Sequence, residues 1–483
     1  MNFKGRTVIL FVLLAMFASS IMTLMIVNPS TLAAGLKGGA VGSTVTSGLS
    51  TKDMNKLSTT YQLIEGKFLS QVDHDKVMTG AINGMLSSLE DPFTVYMDQK
   101  EAKQFDESIT SSFQGIGAEV SSEEGKVTIV SPIKGSPAEK AGLHANDVIL
   151  SVNGEKLDGL TLNQAIMKIR GPKGTQAKLE IVRSGSSDPI QMTVVRDDID
   201  VETVYAEMLP NNIGKIEIRQ FSSNTSKRFK DELAGLEAKG MKGLVIDVRN
   251  DPGGLLSAVV EIVEPFVPKG KPIVKIENRK GEQEDTTSQG TGKNYPVTVL
   301  INKGSASASE ILAGALHDSS GSKLIGETTY GKGTVQVTFE KEMGDGSNIK
   351  MTVYKWLTPN GTWIHKKGIA PDIAIDQPAY FKVAPLTKKT TLVQDSSSED
   401  VKNLQTMLKG LGLNPERADG YFSEKTALAV KAFQRMQNLP ITGEVDTETA
   451  TRLEKMILAE IKDPKNDLQL KAATQHLQSI MTK

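Results

Sequence analysis

The sequence predicts a multidomain chain of mixed α/β and α+β class. Three observations carry that expectation. At 483 residues the chain is too long for one ordinary core. Strands and helices alternate between about residues 198 and 380, which is the rhythm of an α/β core. Before that stretch residues 113–197 read as short strands with turns, and after it residues 401–453 read as compact helices.

Composition narrows the function. Hydrophobic content of 39% and charged content of 23% fit a folded protein. A formal net charge of −1 gives no sign of a nucleic-acid partner. The absence of cysteine excludes a thiol nucleophile, disulfides and thiolate metal sites. No metal or organic cofactor is implied.

Taken in order, the chain opens with Lys4 and Arg6 ahead of an uncharged, mostly apolar run from Val8 to Val27, long enough to cross a bilayer. Basic residues before the run favour a cytoplasmic N-terminus, with everything beyond it exported. "STLAAG" (Ser30 to Gly35) supplies small residues for signal cleavage, so a retained membrane anchor and a cleaved signal both stay open. Either way the expected location is extracytoplasmic, in the cell envelope or secreted into it. A Gly/Ser/Thr-rich tether follows. From Met54 to Leu89 the pattern is helical, with Leu57, Tyr61, Ile64 and Phe68 at three- and four-residue steps. A second helix from about His74 ends before Pro92.

"KVTIVSP" and "AKLEIVRSG" alternate as strands, and "GLTLNQAIMKIRG" forms one amphipathic helix between glycines. In the α/β stretch "IGKIEIRQF" leads into a helix over Ser226–Lys239, then the buried strand "GLVIDVR", the turn "NDPGG" and a further helix. "PVTVLIN" then feeds "SASASEILAGAL" (Ser305 to Leu316). "QDSSSED" is a polar linker, and an amphipathic helix follows Pro464.

The serine-rich corner poses the chemical question. None of His74, His144, His317, His365 or His476 sits in a recognisable triad motif. Ser307-Ala-Ser-Glu310 fits a capping box, in which the serine only satisfies helix-end N–H groups. The same strand–turn–helix geometry exposes a serine beside unpaired N–H donors suited to an oxyanion. A lysine can supply the missing base. "TTYGKGTVQVTFE" sets Lys332 and Gln336 four residues apart in an expected strand, hence on one face. Lysine deprotonates serine only when neutral, which requires its pKa to fall by roughly three units, about 4 kcal/mol, through burial. Gln336 would accept a hydrogen bond from the amine and orient it without adding charge. On these residues alone a helix cap and a solvated lysine remain open.

"GSASASEILAGAL" followed by "YGKGTVQ" resembles the active-site signature of the carboxyl-terminal processing (tail-specific) serine peptidases. The resemblance extends from about residue 55 to 378, through "GAINGMLSSLEDPFTVYM", "DVRNDPGG" and "KKGIAPDI". It implies an α/β serine-protease core with an inserted PDZ domain, a small β-barrel with helices. It further implies Ser307 as nucleophile, Lys332 as base and Gln336 as its partner. The Ala308 N–H and that of Gly253 or Gly254 would form the oxyanion hole. "FQGIGAEV" would be the PDZ carboxylate loop, with N–H groups around Gly115, Ile116, Gly117 and Ala118 holding a substrate C-terminus. Arg170 would couple PDZ position to the active site, an ordinary helix-end arginine being the alternative. Residues 401–453 resemble a three-helix peptidoglycan-binding module, although Ser423 stands where "DGxFG" carries glycine. A helical dimerisation element is the alternative, and a homodimer is compatible with it.

The expected organisation is a signal or anchor (1–34), tether (35–53), helical segment (54–100), PDZ domain (101–197), Ser/Lys core (198–380), linker (381–400), peptidoglycan-binding-like module (401–460) and C-terminal helix (461–483). The expected function is an exported endopeptidase that cleaves proteins near their C-termini. Its rivals are a non-catalytic envelope scaffold and a protease that degrades misfolded exported proteins.

Overall fold

The computed structural model describes residues 49–123, 126–133, 135–144, 146–183 and 188–481; the N-terminal apolar run and most of the tether lie outside them. No helix among the described residues is long and apolar enough to cross a membrane. The chain divides into two compact units at Ile82. α1 (Thr51–Lys67) begins at a capping box between Ser50 and Asp53, and α2 (His74–Ser87) follows. Both helices form where the periodicity places them, yet neither buries a residue. Leu57, Leu63, Phe68, Met78 and Met85 are all exposed.

The second unit starts at Asn83, within α2, and continues with β1 (Val95–Met97) and α3 (Gln99–Thr110), the latter opened by the Asp98/Glu101 capping box. β2 (Ser112–Gly115) then leads into an antiparallel module built from β3 (Ala118–Glu123), β4 (Lys126–Pro132), the short α4 (Pro137–Lys140), β5 (Val148–Val152) and β6 (Glu155–Lys156). α5 (Leu162–Ile169), β7 (Gln176–Val182) and β8 (Ile190–Val195) complete it. Its sheet order is β3-β4-β5-β7-β8 with β6 on β5, closed over Ile129, Ile149, Leu179 and Ile181. β9 (Asp197–Asp200) leaves the module antiparallel to β2, so the insertion hangs from a two-stranded ribbon. The expected boundary at residue 101 is therefore too early. α3 bonds to the core, Gln220 Nε2 to Ser108 O (2.8 Å) and Ser223 N–H to Ile109 O (3.1 Å).

The core sheet takes β10 (Val204–Leu209), β11 (Ile213–Ile218), β12 (Gly243–Asp247), β15 (Val297–Ile301), β16 (Lys323–Gly326) and β19 (Ile373–Ala374), in that spatial order. Only the β10–β11 pair is antiparallel. Strands "GLVID" and "VTVLI" are apolar without alternation because both faces are covered. One face packs α6 (Thr225–Ala238), α7 (Leu256–Val263) and α8 (Ala308–Ser320) over Ile216, Ile246, Val299 and Leu324. A second, antiparallel sheet joins β1 to β13 (Pro272–Asn278), β14 (Gln283–Thr287), β17 (Thr334–Thr338) and β18 (Asn348–Leu357), with the short α9 (Glu340–Met343) between the last two.

The C-terminal region differs from expectation in two ways. α10 (Glu399–Gly410), α11 (Glu424–Met436) and α12 (Thr447–Lys462) form the three-helix module around Leu404, Leu408, Val430 and Phe433. Leu386 and Leu392, inside the expected 381–400 linker, are buried in that same core. α13 (Leu468–Met481) does not stand apart. Its Leu470, Ala473 and Leu477 cover the other face of the core sheet against Ile213, Val245, Leu300 and Ile325. The helical module is thus threaded into the protease core, between β19 and the helix that seals it.

Leu477 is fully buried at that seal. Leu477→Ala is expected to lower stability by about 3 kcal/mol. Equilibrium unfolding followed by tryptophan fluorescence measures this, since Trp356 and Trp363 both lie in the core region and outside the helical module.

Candidate active site

The serine corner is a sharp turn between β15 and α8, and its three serines are held differently. Ser305 is buried, donating from Oγ to Val248 O (2.7 Å) and accepting from the Asn302 N–H (3.0 Å). Ser309 is buried and donates to Asp251 O (2.9 Å). Both tie the corner to the strand end at 248–251. Ser307 alone faces the cleft, with φ 55° and ψ −113°, a conformation that strains any residue but glycine. A non-glycine residue held there opens a helix in which the Ser309 and Glu310 N–H groups bond back to Ala306 O (3.1 Å) and Ser307 O (2.9 Å), leaving the Ala308 N–H without a partner.

The "NDPGG" turn lies against this corner. A Cβ on Gly253 would come within 2.8 Å of both Ala308 N and Ser307 Cβ, so only glycine fits there. The two turn glycines are not equivalent. The Gly253 N–H donates to Asp251 Oδ1 (2.8 Å). Gly253 O and Leu255 N–H bond Phe221, which leaves the Gly254 N–H facing away from that strand end. Among the described residues neither the Gly254 nor the Ala308 N–H has a partner.

Glu310 joins the serine to the lysine. Fully buried, its Oε2 accepts the N–H of Ser307 (2.9 Å) and of Lys332 (2.8 Å), and its Oε1 accepts Thr329 Oγ1 (2.6 Å) and the Gly331 N–H (2.7 Å). The lysine loop is further held by Tyr330 N–H to Ser305 O (3.0 Å) and by Trp356 Nε1 to Lys332 O (2.8 Å). Lys332 precedes β17 instead of lying in it, and a bulge separates Val335 from Gln336. Strand alternation therefore does not explain their shared side; the loop and the bulge do. Gln336 Nε2 is held by Thr334 Oγ1 (3.1 Å) and Thr352 Oγ1 (2.9 Å), leaving its Oε1 as the free acceptor.

Burial lowers the Lys332 amine below the ordinary lysine range, and the positive charge of Lys350 lowers it further against the opposing pull of Asp91 and Glu310. Its Nζ lies 4.8 Å from the centre of the Phe93 ring. Ser307, Ala308, Gly253, Gly254, Lys332 and Gln336 all line one cleft of about 590 Å³, to which α3 contributes Phe105, Ser108 and Ile109. Sequence reasoning missed Lys350 in this cleft, because a lysine in a strand with no motif around it carries no signal. It treated Glu310 only as a cap.

At the inserted module Gly117 has φ 77°, and a Cβ there would meet Ser136 Cβ at 2.4 Å. Ile116 is buried, and its carbonyl accepts the Ala138 N–H (2.7 Å). The N–H groups of Ile116 and Gly117 have no partner among the described residues. Beyond Gly115, Ala118 begins β3. Arg170 lies over the Phe113 ring (4.3 Å) and pairs with Glu107 of α3 (3.3 Å), so it bridges the loop's strand to a helix that lines the cleft.

Comparison with known proteins places these features. Residues 212–375 match peptidase family S41, residues 128–183 a PDZ domain and residues 397–453 a putative peptidoglycan binding domain. Residues 30–101 match the activating protease CtpB N-terminal domain. The chain is 50% identical over 430 residues to the carboxy-terminal processing protease CtpB of Bacillus subtilis (strain 168), covering 88% of this chain and 89% of that protein. It is 43% identical over 471 residues to CtpA of the same organism, covering 97% and 98%. A probable CtpA-like serine protease of Staphylococcus aureus (strain N315) is 35% identical over 418 residues, covering 85% and 83%.

Glu310→Gln would turn an amide N–H toward N–H groups that now meet an acceptor. Steady-state peptide cleavage is expected to show kcat lower by at least about tenfold, with KM changed less. Unchanged kcat would show that the four contacts do not hold the site.

Proposed function

The chain belongs to peptidase family S41 and is a carboxy-terminal processing serine protease, and from that premise we propose that it works outside the cytoplasm through a Ser307–Lys332 dyad. The observation that most supports the pairing is Glu310, one buried side chain that holds the N–H groups of both residues. Neutral Lys332 takes the Ser307 hydroxyl proton as Oγ attacks the scissile carbonyl carbon. The carbonyl oxygen becomes an oxyanion held by the Ala308 N–H and a glycine N–H of the turn, Gly254 having the free one. Collapse breaks the C–N bond, and the leaving amine takes the proton from the Lys332 ammonium. Water then attacks the acyl-enzyme, with Lys332 again as base. Gln336 Oε1 orients the amine without adding charge.

Substrate selection fits the PDZ loop. The N–H groups at Ile116 and Gly117 suit a C-terminal carboxylate, and β3 offers an edge to which a peptide adds as a strand. The path from this loop through Phe113, Arg170 and Glu107 to α3 supports a gate, in which peptide binds more tightly to the arrangement with the cleft open. The peptidoglycan-binding match and the apolar N-terminal run support an envelope location, with cell-wall contact through the helical module and membrane contact through the N-terminus. The uncovered apolar faces of α1 and α2 support a homodimer.

Ser307→Ala and Lys332→Ala are each expected to abolish cleavage with the fold retained. Lys332→Arg should be equally inactive, because a guanidinium cannot serve as a neutral base. A serine-reactive phosphonate should label Ser307 in the active protein, as peptide mapping will show; an adduct elsewhere rejects the assignment. Since the lysine is lowered in the fold and its neutral form does the work, activity should rise with pH through that titration. Arg170→Ala is expected to reduce turnover severalfold, and unaltered turnover would remove this residue from the coupling.

A further inference from the structure

One buried ionisable group beside the oxyanion turn takes no part in the steps above. Asp251 is fully buried. Its backbone carbonyl accepts the Ala306 N–H (3.0 Å) and Ser309 Oγ (2.9 Å), so the residue is pinned to the serine corner. Its Oδ1 accepts the Gly253 N–H (2.8 Å), and its Oδ2 has no hydrogen-bond partner. The charged groups on the elements around it are engaged elsewhere. Arg249, in the same turn, pairs with Asp247 and Asp467. Glu310 on α8 holds the two loops, Glu261 on α7 bonds Ser226 and Lys230, and Lys332 and Lys350 line the cleft. No cation pairs with Asp251 among the described residues.

An ionised carboxylate here would be a buried charge with no counter-ion, eased only by the Gly253 N–H and the nearby Ser309 hydroxyl, which together weigh less than the penalty of burial, whereas a neutral acid leaves only one hydrogen bond unmade. We propose that Asp251 is a positioning residue of the oxyanion turn and serves turnover only as a neutral carboxylic acid. Protonated, it anchors the Asp-Pro-Gly turn through Gly253 and leaves the donors at Gly254 and Ala308 set for the oxyanion. On losing its proton to solvent it puts a negative charge next to the place where negative charge must develop, and it grips Gly253 more tightly. Burial pushes this carboxyl up to about 8, within reach of ordinary conditions. The consequence is an alkaline shut-off built into the site. Rate rises with pH as Lys332 loses its proton and falls again as Asp251 loses its own. The inference rests on the Ser307–Lys332 reading for its catalytic consequence.

Asp251→Asn in the full chain tests it, since asparagine keeps the Oδ1 acceptor and cannot ionise. For wild-type protein kcat/KM is expected to fall above about pH 8, approaching roughly tenfold for each further unit. In D251N that descending limb should vanish, so that the ratio of rates at high and neutral pH increases. The same limb in D251N overturns the proposal.

A second measurement needs no catalysis. The native state keeps a proton that the unfolded chain releases near 3.8, so wild-type stability should fall relative to D251N as pH rises from about 4 to about 8. Urea unfolding in a Ser307→Ala background reads this, and a stability difference that is flat with pH overturns the proposal. A third needs no variant: wild-type protein near neutral pH should show the infrared band of a protonated carboxyl, lost by about pH 9.5, and its absence at neutral pH also overturns it. If Ser307→Ala stays active the dyad reading fails while the unfolding arm still reports on Asp251. If Ser307→Ala is inactive and D251N keeps its limb, only the present inference fails.

Discussion

Everything at the site depends on the four hydrogen bonds that converge on Glu310. Ser307 and Lys332 sit on loops that leave two neighbouring parallel strands, and the peptide chain alone gives them no reason to meet. A buried carboxylate that accepts from Ser307, Thr329, Gly331 and Lys332 leaves neither loop free to move without exposing unsatisfied donors. It also offsets the strain at Ser307, because the N–H turned inward by φ 55° finds its acceptor there. On the proposed dyad, capping and catalysis are therefore one geometry. The same residue that caps the helix holds the backbone of the proposed nucleophile.

A comparable clamp acts from behind the sheet. Arg249 follows β12 and leads into the oxyanion turn, and it bonds both oxygens of Asp247 and of Asp467 at the start of α13. Burial works against the arginine charge, and the two carboxylates more than compensate. The last helix is thus attached through apolar burial along its length and through this ionic network at its head. Because the three-helix module lies between β19 and α13, it is tied at both ends to the catalytic core.

The legibility of these features followed their range in the chain. Parallel strands such as "GLVID" were readable because double-sided burial leaves an unbroken apolar run. The strand–turn–helix at Ser307 was readable because turn, cap and helix are local. The lysine was readable at a distance only through resemblance, and the strand expected to carry it begins two residues later, past a loop shaped by Gly331 and Gly333 against residues 365–368. What stayed hidden was non-local. Leu386 and Leu392 look like linker residues until the fold buries them in the same core as Phe422 and Leu453. α13 has the amphipathic pattern of any terminal helix, and nothing in that pattern names the sheet it seals. The N-terminal apolar run lies outside the described residues, so its reading stands as the sequence left it.

Among the described residues no histidine lines the cleft at Ser307, and this has an electrostatic counterpart there. His317 pairs with Asp318, and His365 stacks on Trp363 (5.3 Å between ring centres), and neither lines the cleft. In their place the cleft gathers two half-buried lysines, each lowered by burial, and two N–H groups without partners. Lys350 favours the neutral form of Lys332 by disfavouring a second positive charge nearby. In the proposed dyad, a proton taken from the serine would put charge on Lys332 together with the oxyanion's, and each would stabilise the other in a site walled by Phe93, Phe105 and Trp356. The low dielectric that depresses the lysine is thus the condition under which that protonation would help most. It also makes one uncompensated negative charge in the adjoining turn so costly.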